Sequence, residues 1–132
     1  MSKNITDPRE TLNRIRAQAD AATEGPWTGI RYPDGFLGRV IGGNGFGVAE
    51  DFSDDADAEF ISAARTNVPR LVDALEKVLI LHKPVEVEPS ETICSGCSTL
   101  RGQGETARYF PFTEYPCPTV RDITTALEGE TP

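Results

Sequence analysis

Apolar positions fall into two kinds of pattern along this chain, and the change from one to the other sets its organisation. Leu12, Ile15, Ala19 and Ala22 recur at helical spacing behind Asp7-Pro8-Arg9-Glu10. Asp7 suits a cap, Pro8 the first helical position and Glu10 the return partner of a capping box. The helix this predicts ends near residue 23, before Glu24-Gly25-Pro26. From Trp27 to Ala49 the spacing shortens and glycine punctuates it. Trp27–Tyr32, Phe36–Ile41 and Phe46–Ala49 read as three strands of an antiparallel meander, joined through Pro33-Asp34-Gly35 and Gly43-Asn44-Gly45. So small a sheet needs helices over one face.

Helical spacing then returns. Ala56, Phe60, Ala63 and Ala64 predict the buried face of a short helix. Thr66-Asn67-Val68-Pro69 restarts the chain as a second one, whose stripe is Leu71, Val72, Leu75, Val78, Leu79 and His82. Lys83-Pro84 stops it. Residues 85–90 read as an extended acidic connector and Ser98–Tyr115 as loop with a short strand near Tyr109-Phe110. Pro116-Cys117-Pro118-Thr119 opens a last helix with Val120, Ile123 and Leu127 as its stripe, followed by a frayed tail from Gly129 to Pro132. The expected fold class is α+β: an N-terminal helix, a three-stranded antiparallel meander, two consecutive helices, and a stapled C-terminal segment ending in a helix. The expected division is a 1–83 helix–meander–helix domain and an 84–132 segment packed on it.

Composition makes an extra staple useful. In 132 residues the hydrophobic share is 38%, with 12 Gly and 10 Pro, so the core is modest. Net charge is −8, which repels nucleic acid and anionic membrane and favours a partner with a basic surface. Residues 1–83 carry 10 basic and 13 acidic side chains and residues 84–132 carry 3 and 8. No apolar run reaches bilayer-spanning length, and the polar start Met1-Ser2-Lys3-Asn4 lacks the apolar stretch of an export signal. The expected setting is therefore the cytoplasm, where thiols stay reduced.

The three cysteines and single histidine all fall in the last 51 residues. Cys94 and Cys97 share a two-residue gap with Gly96 inside it, Cys117 starts a helix whose dipole favours the thiolate, and His82 closes another. Together these four are the ligand set of a closed structural zinc site, with no position left for a catalytic water. The competing readings of the pair are two unrelated thiols or a redox motif, and no thioredoxin-like unit surrounds it. For His82 the alternative is an ordinary helix-end histidine, with water or a neighbour of Cys97 completing the site.

Other features carry less. The Gly42–Gly47 run lacks the lysine and hydroxyl of a phosphate loop and reads as a hairpin turn. The acidic run Glu50–Glu59 lacks a calcium-loop pattern and reads as helix capping, or as a negative docking surface. Arg101, Arg108 and Arg121 interleave with Tyr109, Phe110, Phe112 and Tyr115, as in binders of single-stranded nucleic acid. The simpler expectation is that these rings pack the loop against the cysteine knuckle. No nucleophile–base arrangement is visible, so no enzyme is expected and no catalytic residue is assigned.

Gly25-Pro26-Trp27, the run Asp57-Ala58-Glu59-Phe60-Ile61-Ser62-Ala63-Ala64-Arg65-Thr66-Asn67-Val68-Pro69, and Tyr115-Pro116-Cys117-Pro118-Thr119-Val120-Arg121 after a CxxC resemble small bacteriophage accessory proteins. The likeness is to the Ead-like group of lambdoid phages and to actinobacterial and actinophage relatives. It covers roughly residues 8–83 and 94–127, implies a dispensable role in a host cytoplasm, and supplies no catalytic residues. The expected function is thus a non-enzymatic accessory protein, held by structural zinc, that binds a host or phage protein through its acidic surface. The alternative is a zinc-knuckle nucleic-acid-binding or transcriptional regulatory protein.

Overall fold

A computed structural model describes residues 7–88 and 90–129. The polar start at 1–4 and the expected tail beyond Gly129 lie outside them. The chain is α+β, as its patterning predicts. Helix α1 spans Pro8–Ala21, strands β1, β2 and β3 span Thr28–Arg31, Leu37–Ile41 and Gly47–Glu50, and helix α2 spans Asp55–Leu81. Strands β4 (Pro84–Val87) and β5 (Glu91–Cys94) follow, then β6 (Leu100–Arg101), a 3-10 turn at Gly104–Thr106, β7 (Arg108–Tyr109) and helix α3 (Pro118–Glu128).

The meander forms with order β1-β2-β3, all antiparallel. Both turns use the same device. Asp34 and Asn44 accept the backbone N–H groups of Phe36 (2.9 Å) and Phe46 (3.1 Å), and Gly35 and Gly45 take φ of 91° and 83°, which favour glycine. Asp7 caps α1 by accepting the Arg9 N–H at 2.9 Å, and Asp54 caps α2 by accepting the Ala56 N–H at 2.7 Å.

The expected pair of helices is one helix of 27 residues with Pro69 inside it. Proline there removes a ladder bond, but the inward-facing positions stay in phase across it. Ala58, Ile61, Ala64, Val68, Val72, Leu75 and Leu79 step by three or four residues, all buried or half-buried. A continuous face decides the helix over the local break. This phase differs from the expected one: Phe60 and Leu71, assigned to the inner faces, are 75% and 62% exposed.

The acidic connector is a strand. Residues 84–87 pair antiparallel with 91–94, setting Val85 opposite Ile93 and Pro84 opposite Cys94. A second ribbon, β6–β7, sets Leu100 opposite Tyr109 and Arg101 opposite Arg108.

Contacts divide the chain into two compact units, residues 1–12 with 75–132, and residues 13–74. The divisions fall inside α1 and α2, so the end of α2 belongs with the cysteine segment, whereas the patterning places a boundary after residue 83. In the first unit the buried apolar residues are Leu12, Leu79, Ile93, Cys94, Cys117 and Val120. In the second they are Val40, Ala58 and Val72.

Candidate metal centre

Two of the four donors sit where an element ends, one in a turn and one where a helix begins. His82 follows the last turn of α2, its N–H bonded to the Leu79 carbonyl at 3.2 Å. Cys94 is the last residue of β5. Its N–H donates to the Thr113 carbonyl at 2.8 Å, and the next N–H, of Ser95, donates to the Lys83 carbonyl at 2.9 Å. Cys97 lies in the turn beyond, where its carbonyl accepts the Thr113 hydroxyl at 3.4 Å. Cys117 is the N-cap residue of α3. The segment that delivers it is pinned to β5 by the Tyr115 N–H on the Thr92 carbonyl (3.0 Å) and by an antiparallel bridge between Ile93 and Glu114.

The convergence is tight. The His82 Nδ1 atom lies 3.3 Å from Cys94 Sγ, 3.5 Å from Cys97 Sγ and 3.6 Å from Cys117 Sγ. All four donor atoms lie within 4.8 Å of one another. Bond lengths of about 2.3 Å to sulfur and 2.0–2.1 Å to nitrogen put the N···S edges of a tetrahedral site at about 3.6 Å. Mutual hydrogen bonding does not account for the cluster, because a neutral imidazole Nδ1 has one lone pair and three sulfurs crowd it. One ion at the centre satisfies all four donors. The arrangement is compatible with a structural metal.

The electrostatics point the same way. Burial pushes the Cys97 thiol up to about 11, and the neighbouring sulfurs of Cys94 and Cys117 push in the same direction. At Cys117 burial also pushes up, but the Val120 N–H, the Cys94 and Cys97 thiols and the Thr119 N–H outweigh it, and its pKa falls below the ordinary thiol value. Without a cation, then, the cluster favours the thiolate of Cys117 at the helix start and disfavours that of Cys97. A central cation favours both.

Two supporting residues went unread in the sequence, or were read for the wrong reason. Gly96 is expected to supply flexibility, but its role is close approach: a Cβ there would collide with the Leu81 carbonyl oxygen and lie 3.2 Å from His82 Nδ1. The knuckle can reach the end of α2 only without a side chain. Arg9 donates to the Leu79 carbonyl at 2.7 Å and to the Tyr115 hydroxyl at 3.0 Å, tying the start of α1 to the segments that deliver His82 and Cys117. An arginine in a helix's first turn gives no signal of such a role.

The expected packing of the rings against the knuckle does not hold for the two phenylalanines, whereas Tyr109 and Tyr115 are half-buried. Phe110 and Phe112 are 68% and 41% exposed. The acidic run divides: Asp54 caps α2, and Asp55 accepts the Leu37 N–H at 2.8 Å and pairs with Arg31 at 3.2 Å, while Glu50, Asp51, Asp57 and Glu59 stay exposed.

No protein-family model, no curated protein and no solved structure matches the chain. Among the described residues, no helix is long and apolar enough to cross a membrane.

Proposed function

We propose that this is a non-enzymatic binding protein whose cysteine segment is held by one structural zinc ion, and that it docks a protein partner of basic surface in a reducing cytoplasm. The convergence of His82, Cys94, Cys97 and Cys117 carries the reading. Three thiolates and an imidazole suit zinc among the common divalent ions, and four protein donors leave no open position for a reacting water. The single histidine is held by that cluster, so no imidazole is left for general base catalysis. The docking surface is the negative rim on the 13–74 unit. There Glu50, Asp51 and Asp57 border a depression of about 460 Å³ together with Phe52, Phe60 and Ile61. Carboxylates around the exposed Phe60 and the half-buried Phe52 and Ile61 fit a partner segment that alternates lysine or arginine with apolar residues. The phage-accessory setting rests on the resemblance alone.

Two measurements test this. Elemental analysis of purified protein should find about one zinc per chain; none would end the zinc reading. A partner captured from cytoplasm should be lost to Glu50→Lys/Asp57→Lys and to raised salt. Capture that ignores both would remove the acidic surface.

A further inference from the structure

The β6–β7 ribbon, in the other unit, holds an arrangement that the docking surface does not explain. Arg101 and Arg108 are direct cross-strand partners. Paired positions project to the same side of a ribbon, with Cα atoms about 4.5–5.5 Å apart. Like charges facing each other destabilise a two-stranded pair. Both arginines are exposed, and neither side chain forms an ion pair or hydrogen bond among the described residues. Between Cys97 and Thr113 the sequence offers one carboxylate, Glu105, and it does not neutralise them.

The same side carries a ring. Phe110 lies two residues beyond Arg108, just past the end of β7; its N–H donates to the Thr99 carbonyl at 2.8 Å and the Thr99 N–H donates to the Pro111 carbonyl at 3.0 Å, so Thr99 faces a bulge formed by Phe110 and Pro111. Counting by two from Arg108 sets Phe110 toward the arginine side of the ribbon, and its ring is 68% exposed. Two other members of the sequence cluster are committed elsewhere. Arg121 donates to the Pro116 carbonyl at 2.9 Å, and the Tyr115 hydroxyl accepts from Arg9. The ribbon is anchored to the knuckle by the Thr113 N–H on the Ser98 hydroxyl at 3.0 Å, so the ring and the guanidinium pair stand on a supported base.

We propose that this ribbon face binds single-stranded nucleic acid, with Arg101 and Arg108 on adjacent phosphates and Phe110 stacked on a base. An acidic peptide would pair with the arginines but would leave the ring without a π-face to stack on. A duplex would offer phosphates but no unstacked base. The net charge of −8 confines binding to this local face and keeps it weak at high salt. This surface is separate from the acidic rim, so either proposal can fail without the other.

The test uses the full-length, zinc-loaded protein and a fluorescent oligothymidylate, read by anisotropy between about 50 and 200 mM salt. Binding is expected. Arg101→Gln/Arg108→Gln should reduce the slope of log affinity against log salt by about 1.4, the release from two phosphates of a single strand. Phe110→Ala should weaken binding about tenfold with the slope unchanged. Arg101→Lys/Arg108→Lys should restore most of the slope. Zinc content and the melting curve of each variant show that the knuckle and fold persist. The proposal is overturned by any of these results: no binding by zinc-loaded protein, binding insensitive to the arginine and Phe110 changes, equal affinity for a duplex of the same length, or equal competition by an oligoglutamate peptide.

Discussion

In the 13–74 unit the ties are numerous, polar and dispersed. The Leu37 N–H and Arg31 both reach Asp55, Arg16 pairs with Asp73 at 2.6 Å, and the Trp27 indole and the Arg65 guanidinium both donate to the Thr23 carbonyl. The fully buried apolar residues there, among those described, are Val40, Ala58 and Val72. In the unit of residues 75–129 and the start of α1, the ties converge. Two of its six buried apolar residues are the thiols of Cys94 and Cys117, and the ends of α2 and β5, the knuckle and the start of α3 all meet at His82. Dispersed ties can be lost one at a time. A convergent centre fails as a whole, and its failure releases every segment it gathers.

The largest expected effect follows from that difference. Chelating the proposed zinc ion, or substituting Cys117→Ser, should abolish structure around the knuckle, the two ribbons and α3. The binding free energy of a structural zinc site, about 10 kcal/mol or more, is lost as folding energy. Amide exchange should then show protection vanishing from residues 82–129 while the meander and the first half of α2 remain protected. Simultaneous loss in both units would mean a single cooperative core and would erase the contrast.

A smaller effect separates packing from the metal. Leu79 is 1% exposed and belongs to the cysteine unit. Leu79→Ala should cost about 2–5 kcal/mol by denaturant titration with zinc content unchanged. Loss of zinc along with stability would show that the helix end and the metal centre cannot be uncoupled. Smaller again is Gly96→Ala. The added methyl meets the Leu81 carbonyl, so the knuckle must withdraw from His82. Zinc affinity in a chelator competition should fall about 10–100-fold, the range seen when groups that support metal ligands are altered. Unchanged affinity would return Gly96 to a merely flexible role.

What the sequence revealed follows the same division. Periodicity located α1, the meander, the helical stretch and α3, because each hides one face at a regular spacing. It put a break into α2 that does not exist, because Pro69 is a local signal and the in-phase positions on either side of it are a longer-range one. It set Phe60 inward because four apolar residues near a helix start look like a face. The four donors were legible because a cysteine, unlike a leucine, has few reasons to recur at such spacing. Their supports were not. Arg9 and Tyr115 are 106 residues apart in sequence, and nothing local in residues 84–94 shows that two acidic stretches pair as a ribbon.

The smallest effect belongs to the dispersed unit and is set by proton linkage. The Leu37 N–H, with Arg31 beside it, holds the Asp55 carboxyl below its ordinary value of 3.8, against the opposing pull of partial burial. A carboxylate whose pKa is lower folded than unfolded adds stability that is fully present above the unfolded value. That stability is lost as pH falls through the folded one. The acid limb of the stability curve should therefore steepen below about pH 4. Asp55→Asn keeps an oxygen for the Leu37 N–H but removes the titration and the pairing with Arg31. The variant should melt slightly lower at neutral pH and lose its difference from the parent in acid. Because the tie is one of several, the cysteine unit's zinc content should not change with this substitution. A variant that lost zinc would show that the two units do not fail independently.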